Sequence, residues 1–136
     1  MHSGLLRLET PGQGHVVDIT EGVQRVVSAA EVELGVAVAF AVGSTVAITT
    51  LEYEPGAVQD MRRVLDELIP AAAEYEHNRL NHDSNAHAHV RAALIGPSET
   101  VPVVQGRLGL GTWQQLVLIE LDDRPRSRTV SVQVIS

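Results

Sequence analysis

The chain has 136 residues, 10 basic and 17 acidic, for a formal net charge of -7 with its six histidines neutral, and every basic residue is Arg. With neither Lys nor Cys present, Schiff-base catalysis, the phosphate-gripping Lys of a P-loop, thiolate nucleophiles, disulfides and zinc ribbons are excluded. The acidic balance and only four aromatic rings, Phe40, Tyr53, Tyr75 and Trp113, argue against nucleic-acid binding, which calls for a basic groove and stacking platforms.

In chain order, Gly4 to Thr10 alternates apolar and polar residues up to Pro11-Gly12 and predicts a strand, with a second short one over His15 to Ile19. Thr20 is placed to cap a helix with Val23, Val26, Val27 and Ala30 at helical spacing, ending near Gly35. Val36 to Val42 and Thr45 to Thr50 predict strands about the Gly43-Ser44 turn, the first apolar enough to be covered on both faces. An amphipathic helix follows Pro55-Gly56, with Val58, Met61, Leu65, Leu68 and Ile69 inward. Tyr75 to Asn85 has the composition of a loop. Ala86 to Ile95 predicts a helix capped by Ser84 or Asn85 and stopped at Gly96-Pro97. Thr100 to Gln105, Trp113 to Leu121 and Arg128 to Ile135 predict three closing strands.

This mixed order indicates a single α+β domain over residues 1–136, with mostly antiparallel sheet and about three helices. Its longest apolar run, Val36 to Val42, falls far short of the ~20 residues that span a bilayer. The N-terminus has no charged start followed by a long apolar stretch, so the expected location is the cytoplasm.

Chemically, the densest segment holds His77, His82, His87 and His89 within thirteen residues, alongside Glu74, Glu76 and Asp83. Neutral imidazole is a common ligand for zinc and similar ions, and a carboxylate nearby can complete or orient the shell. The HExxH spacing is absent, however, and a solvated His-rich loop is the bland alternative. On a helix, His87 and His89 diverge by about 200°; on a strand they share a face. Glycine, hydroxyls and free amides over Gly43-Ser44-Thr45 can hold an anion, although a plain turn is the default reading. Gly106 to Gln114 has three glycines in six residues, but strand-like sequence follows it, which excludes a nucleotide-binding loop.

Taken together, the segments 43–56, Tyr75-Glu76-His77, Asn85-Ala86-His87-Ala88-His89, Gly96-Pro97-Ser98, Val101-Pro102-Val103 and Gly106 to Gln114 resemble, in order, the YjbQ family, also called UPF0047 or the secondary thiamine-phosphate synthase family. The resemblance implies sandwiched sheets with helices packed on them and a homotrimer with polar pockets near subunit contacts. It also implies a weak activity that joins a pyrimidine diphosphate to a thiazole phosphate and releases pyrophosphate. The matching polar positions are Glu52, Asp60, Tyr75, His77, His89, Arg107, Thr112, Trp113 and Gln114. Many relatives have His-Thr-Ser where this chain has Gly43-Ser44-Thr45, so the role of that His is absent here or passes to His87.

The expected site therefore has Glu52, His77 and His89 as catalytic groups. Ser44, Thr45, Thr50, Arg107, Thr112, Trp113 and Gln114 are expected to bind a small phosphorylated molecule, and His77, His87 and His89 to hold a divalent metal, zinc or magnesium. Two other functions fit the same residues: a metal-dependent hydrolase or lyase acting on a small molecule, and a trimeric metal- or ligand-binding protein without catalysis.

Overall fold

The computed structural model describes all residues, Met1–Ser136. Eight strands and four helices follow in the order β1 (His2–Thr10), β2 (Val16–Asp18), α1 (Thr20–Ala30), β3 (Leu34–Val42), β4 (Val46–Leu51), α2 (Pro55–Leu68), α3 (Glu76–Asn81), α4 (Ala86–Ile95), β5 (Ser98–Val104), β6 (Arg107–Leu108), β7 (Gln115–Glu120) and β8 (Arg126–Ile135). They form a five-stranded sheet, β1-β8-β3-β5-β6, and a three-stranded sheet, β2-β7-β4. Every pairing is antiparallel, as the α+β reading expects. None of the helices is long and apolar enough to cross a membrane.

The two sheets close on a core in which Ala39, Ala41, Val130 and Val132 of the larger sheet meet Val46, Ile48, Leu116 and Leu118 of the smaller. The smaller sheet cannot cover the whole inner face, so α1 takes the rest, setting Val27 against Ala37, Val103 and Val134. On the far side of the small sheet, Ala88 and Ala92 of α4 pack on Ala47, Val117 and Ile119, with Val58, Met61 and Leu65 of α2 beside them. Layering therefore sandwiches β7, whose residues from Leu116 to Glu120 are all buried.

That layering corrects the reading of Val36 to Val42 as a strand covered on both faces. Strand β3 lies at the centre of its sheet, yet only the Ala37, Ala39 and Ala41 face is covered, while Phe40 is 44% and Val42 57% exposed. Leu5 and Val104 join them on the uncovered face. The strand most fully buried on both faces is β7, the middle strand of the small sheet, which has the large sheet on one side and helices on the other.

Local chemistry accounts for the helix boundaries. Helix α1 stops at Ala30 rather than near Gly35, since Glu31 turns left-handed at φ 54°. The Thr20 hydroxyl does not cap this helix; it accepts from the Leu116 amide of β7 at 2.9 Å. For α2 the cap is Glu54, whose carboxylate accepts from the Gly56 and Ala57 amides of the first turn. Gly35 sits where an added Cβ would lie 2.2 Å from the Ile135 carbonyl oxygen, so the β3–β8 contact tolerates no side chain there.

Candidate functional site

The segment read as a loop before α4 folds instead as the short helix α3. Its polar side chains make that turn possible by serving as local caps. Asn81 donates to the His77 carbonyl at 3.0 Å, His82 closes the helix in left-handed conformation, and Asn78 accepts from the Ala86 amide at 3.0 Å, capping α4. Composition alone pointed to a loop because these residues favour turns; here they staple two helices together.

The folded segment brings His77 and His89 together, with ring centroids 4.6 Å apart and planes tilted by 54°. His77 Nε2 lies 3.1 Å from Asn85 Oδ1 and 3.7 Å from Asp83 Oδ2. The Asp83 carboxyl is held below its usual pKa first by the Ser84 amide and further by Arg124 and His77.

His87 does not join this pair. Two residues from His89 on a helix, it turns about 200° away and is 7% exposed, with a buried Nδ1 that has no hydrogen-bond partner. No group of three or more His, Asp and Glu side chains gathers to hold a metal ion within the chain. The expected shell of His77, His87 and His89 is therefore corrected: this donor set does not fit a metal ion in one subunit, because helical periodicity points its members apart.

Burial, assisted by the Arg91 cation, pushes the His87 pKa down. A depressed pKa means that the neutral ring is favoured in the fold, so its stabilisation is complete above the unfolded value of about 6.5 and is lost as pH falls below it. His87→Leu is expected to flatten stability against pH over that limb, by up to about 1.4 kcal/mol per pH unit. Denaturant melts of both proteins at several pH values measure it.

Beneath Asn85 lies a charged network that the sequence reading missed. Glu120 and Asp122 are 0% exposed and Arg128 7%. Arg128 donates to Glu120 through Nε at 2.6 Å and Nη2 at 2.5 Å, and through Nη2 to the Thr45 hydroxyl at 2.7 Å. The Thr45 hydroxyl in turn donates to Asp122 at 3.0 Å, and Arg126 Nε donates to the same carboxylate at 2.9 Å. Asp122 Oδ1 also accepts from Asn85 Nδ2 at 3.4 Å. Burial alone would raise the Asp122 pKa, but the hydrogen bonds from Arg126, Thr45 and the Asp123 amide outweigh it and hold the carboxyl well below the usual range. The signal was present in the alternation of Glu120 and Asp122 with Arg126 and Arg128 about the turn at Asp123-Arg124-Pro125.

Thr45, expected to bind phosphate, is thus spent on Asp122 and Arg128 inside the protein. Ser44 beside it is exposed. Gly43 adopts φ 145°, and an added Cβ would lie 2.7 Å from Arg128 Nη1, so a side chain at 43 would require Arg128 to move.

The remaining expected site residues, apart from Arg107 on β6 of the large sheet, lie at the other end of the small sheet. Gln114 Nε2 donates to the Thr50 hydroxyl at 3.2 Å, and its Oε1 accepts from the Gly111 amide at 3.0 Å. Gln115 Oε1 accepts from the Tyr53 amide at 2.8 Å, and its Nε2 donates to the Thr112 carbonyl at 3.4 Å. Glu52 and Arg107 are exposed, and Trp113, which precedes β7 rather than starting it, is 73% exposed. An open groove of about 600 Å³ begins nearby, between Thr49 and Leu51 of β4 and Met61 and Val64 of α2, with Asp60 at its wall. In the β4–β7 ladder, Val46 pairs with Glu120 and Leu51 with Gln115. The histidine end and the Gln114 end are therefore separated by a strand length of about 17 Å, and one chain does not bring them into one site.

Comparison with known proteins places these features in a family. The UPF0047 protein YjbQ-like family matches residues 5–136. A UPF0047 protein of Archaeoglobus fulgidus is 38% identical over 130 residues, covering 96% of this chain and 98% of its own. The UPF0047 protein YugU of Bacillus subtilis is 33% identical over 132 residues, 96% of each. Among solved structures, a hypothetical protein from Aeropyrum pernix K1 superposes with a TM-score of 0.92 at 34% identity, covering 100% of this chain and 99% of that one. A YbjQ-like protein of unknown function from Sulfolobus solfataricus P2 does so with a TM-score of 0.88 at 30% identity, covering 97% and 96%.

Proposed function

The chain belongs to the UPF0047 YjbQ-like family, and from that premise we propose that it binds a small phosphorylated molecule in a site shared between neighbouring subunits of a homotrimer. One subunit supplies His77, His89 and Ser44; the next supplies Glu52, Thr50, Arg107, Thr112, Trp113 and Gln114. The observation that carries this reading is the approach of His77 and His89, two polar rings 4.6 Å apart and partly open to solvent. The distance from them to the Gln114 end requires a second copy to complete the site. The uncovered apolar face with Leu5, Phe40, Val42 and Val104 supports assembly, since monomeric proteins seldom leave large contiguous apolar patches exposed.

The reaction we assign is a thiamine-phosphate synthase-like transfer. The thiazole nitrogen forms a bond to the pyrimidine methylene carbon as the carbon–oxygen bond to the diphosphate breaks and pyrophosphate leaves. Such a step needs positioning and stabilisation of charge on the leaving group more than covalent help. In a chain without Lys, the His89 imidazole, Arg107 and the Ser44 hydroxyl are the donors for phosphate oxygens. Trp113 offers a face for an aromatic ring and Glu52 an acceptor for its amino group.

The test is production of thiamine phosphate from the two precursors, assayed with and without magnesium. His77→Ala and His89→Ala are each expected to lower turnover by about 10²–10⁴-fold. Mixing inactive His77→Ala and Gln114→Ala proteins under subunit exchange should restore part of the activity, because some interfaces then carry two intact halves. No product above the His77→Ala background would sink the transferase. A solution mass equal to the 14.6 kDa chain would sink the shared site. Phosphate-ester binding that His77→Ala abolishes, without turnover, would leave the reading of a ligand-binding protein.

A further inference from the structure

We infer that Asp122, acting through Asn85, is a positioning residue that sets which nitrogen of His77 carries the proton. The inference rests on the reading of His77 as a site residue only for its functional meaning; the chain of contacts stands by itself.

Asp122 is wholly buried among donors. Arg126, the Thr45 hydroxyl and the Asp123 amide all point at its oxygens, and a carboxylate so surrounded can only accept. Asn85, itself 4% exposed, must then turn its amide NH₂ toward Asp122 Oδ1, where Nδ2 lies 3.4 Å away. That choice directs the other end of the amide, the Oδ1 acceptor, at His77 Nε2. A neutral His77 can satisfy the contact only as the Nε2–H tautomer, leaving Nδ1 with a free lone pair able to accept a proton or a substrate N–H or O–H.

Asp83 Oδ2, at 3.7 Å from the same nitrogen, favours the same tautomer through a longer contact. The two residues before Asn85 are clamped to the Asp123-Arg124 turn, Ser84 by donating to Asp123 and Asp83 by accepting from Arg124 at 3.2 Å. The amide is therefore held in register with the buried acid. A reversed Asn85 would set its oxygen against the Asp122 carboxylate, replacing that hydrogen bond by repulsion, and would turn its NH₂ to His77, which could meet it only by moving its proton to Nδ1.

The experiment reads the tautomer by long-range ¹⁵N–¹H correlation of the His77 ring in the full-length protein, at about pH 8, where an ordinary imidazole is neutral. Wild type is expected to show protonated Nε2 and bare Nδ1. In Asp122→Asn, Arg126 and Thr45 both donate at the Oδ2 position and retain the acceptor oxygen there; the new NH₂ takes the Oδ1 position, giving up the bond from the Asp123 amide, and faces Asn85, which reverses. His77 is then expected to move toward the Nδ1–H form. If Asp122→Asn does not fold, Asn85→Ala removes the relay and is expected to give a mixture of tautomers. Asp83→Asn should leave the wild-type pattern in place. A wild-type tautomer in folded Asp122→Asn or Asn85→Ala, or a switch produced by Asp83→Asn, would overturn the inference. A tautomer that moves in a protein without turnover would overturn the proposed transferase and leave the relay standing.

Discussion

Replacing Arg128 with Met is expected to destabilise the protein by about 3–5 kcal/mol, the cost of leaving a buried charge without its partner. Glu120 would lose both hydrogen bonds from the guanidinium while remaining 0% exposed. It would keep only those from the Thr10 hydroxyl at 2.6 Å and the Asp122 amide at 3.1 Å. The ion pair joins β7 of the small sheet to β8 of the large one, so the loss falls on the contact between layers rather than within one of them. For a chain of this size the melting temperature should drop by roughly 10–20 °C. Adding Glu120→Leu to Arg128→Met removes the unpaired charge and should recover most of the loss, because a buried pair replaced by apolar groups is often neutral. Thermal melts of the single and double variants measure both effects. A single variant within about 1 kcal/mol of wild type would mean that water reaches Glu120.

Asp122→Ala is expected to cost a similar amount, about 3–5 kcal/mol, and to change the acid limb of stability. The wild-type carboxyl is held below its unfolded pKa by hydrogen bonds from Arg126, Thr45 and the Asp123 amide, acting against burial. A depressed folded pKa contributes stability that is present above the unfolded value of about 3.9 and disappears as pH falls through the folded value. Wild type should thus lose stability on acidification below about pH 4, at up to about 1.4 kcal/mol per pH unit from this group. The variant, weaker at neutral pH, should lose less over the same interval. Urea melts from pH 5 downward compare the slopes; equal slopes would place the acid sensitivity in other carboxylates.

Much of the fold was written in local pattern. Alternation in the N-terminal strand, the Val58, Met61 and Leu65 face of α2 with Pro55 at its start, and Gly96-Pro97 after α4 each obey short-range rules of pleat, helical period and backbone freedom; Leu68, expected inward, is 73% exposed. They need no partner to be read. The same is true of the family, whose polar segments are linear in the chain. The pairing of His77 with His89 was less accessible, because the run from Tyr75 to Asn85 looks like a loop until Asn78, Asn81 and His82 are seen to cap helices.

Composition by itself determined which chemistry was open to this protein: without Lys or Cys, any polar work falls to His, carboxylates, Arg and hydroxyls, whatever the fold. Tertiary structure alone decided how those groups were divided. Helical geometry turned His87 into the core and left His77 beside His89. Sheet pairing sent Thr45, Glu120, Asp122 and Arg128 inward, since charges from distant segments can be buried only where they meet opposite charges or donors. The length of the β4–β7 ladder set Gln114 and Glu52 apart from the histidines. Residue type is a property of each position, whereas burial and distance depend on contacts between positions far apart in the chain, and those arise only once the two sheets have closed on each other.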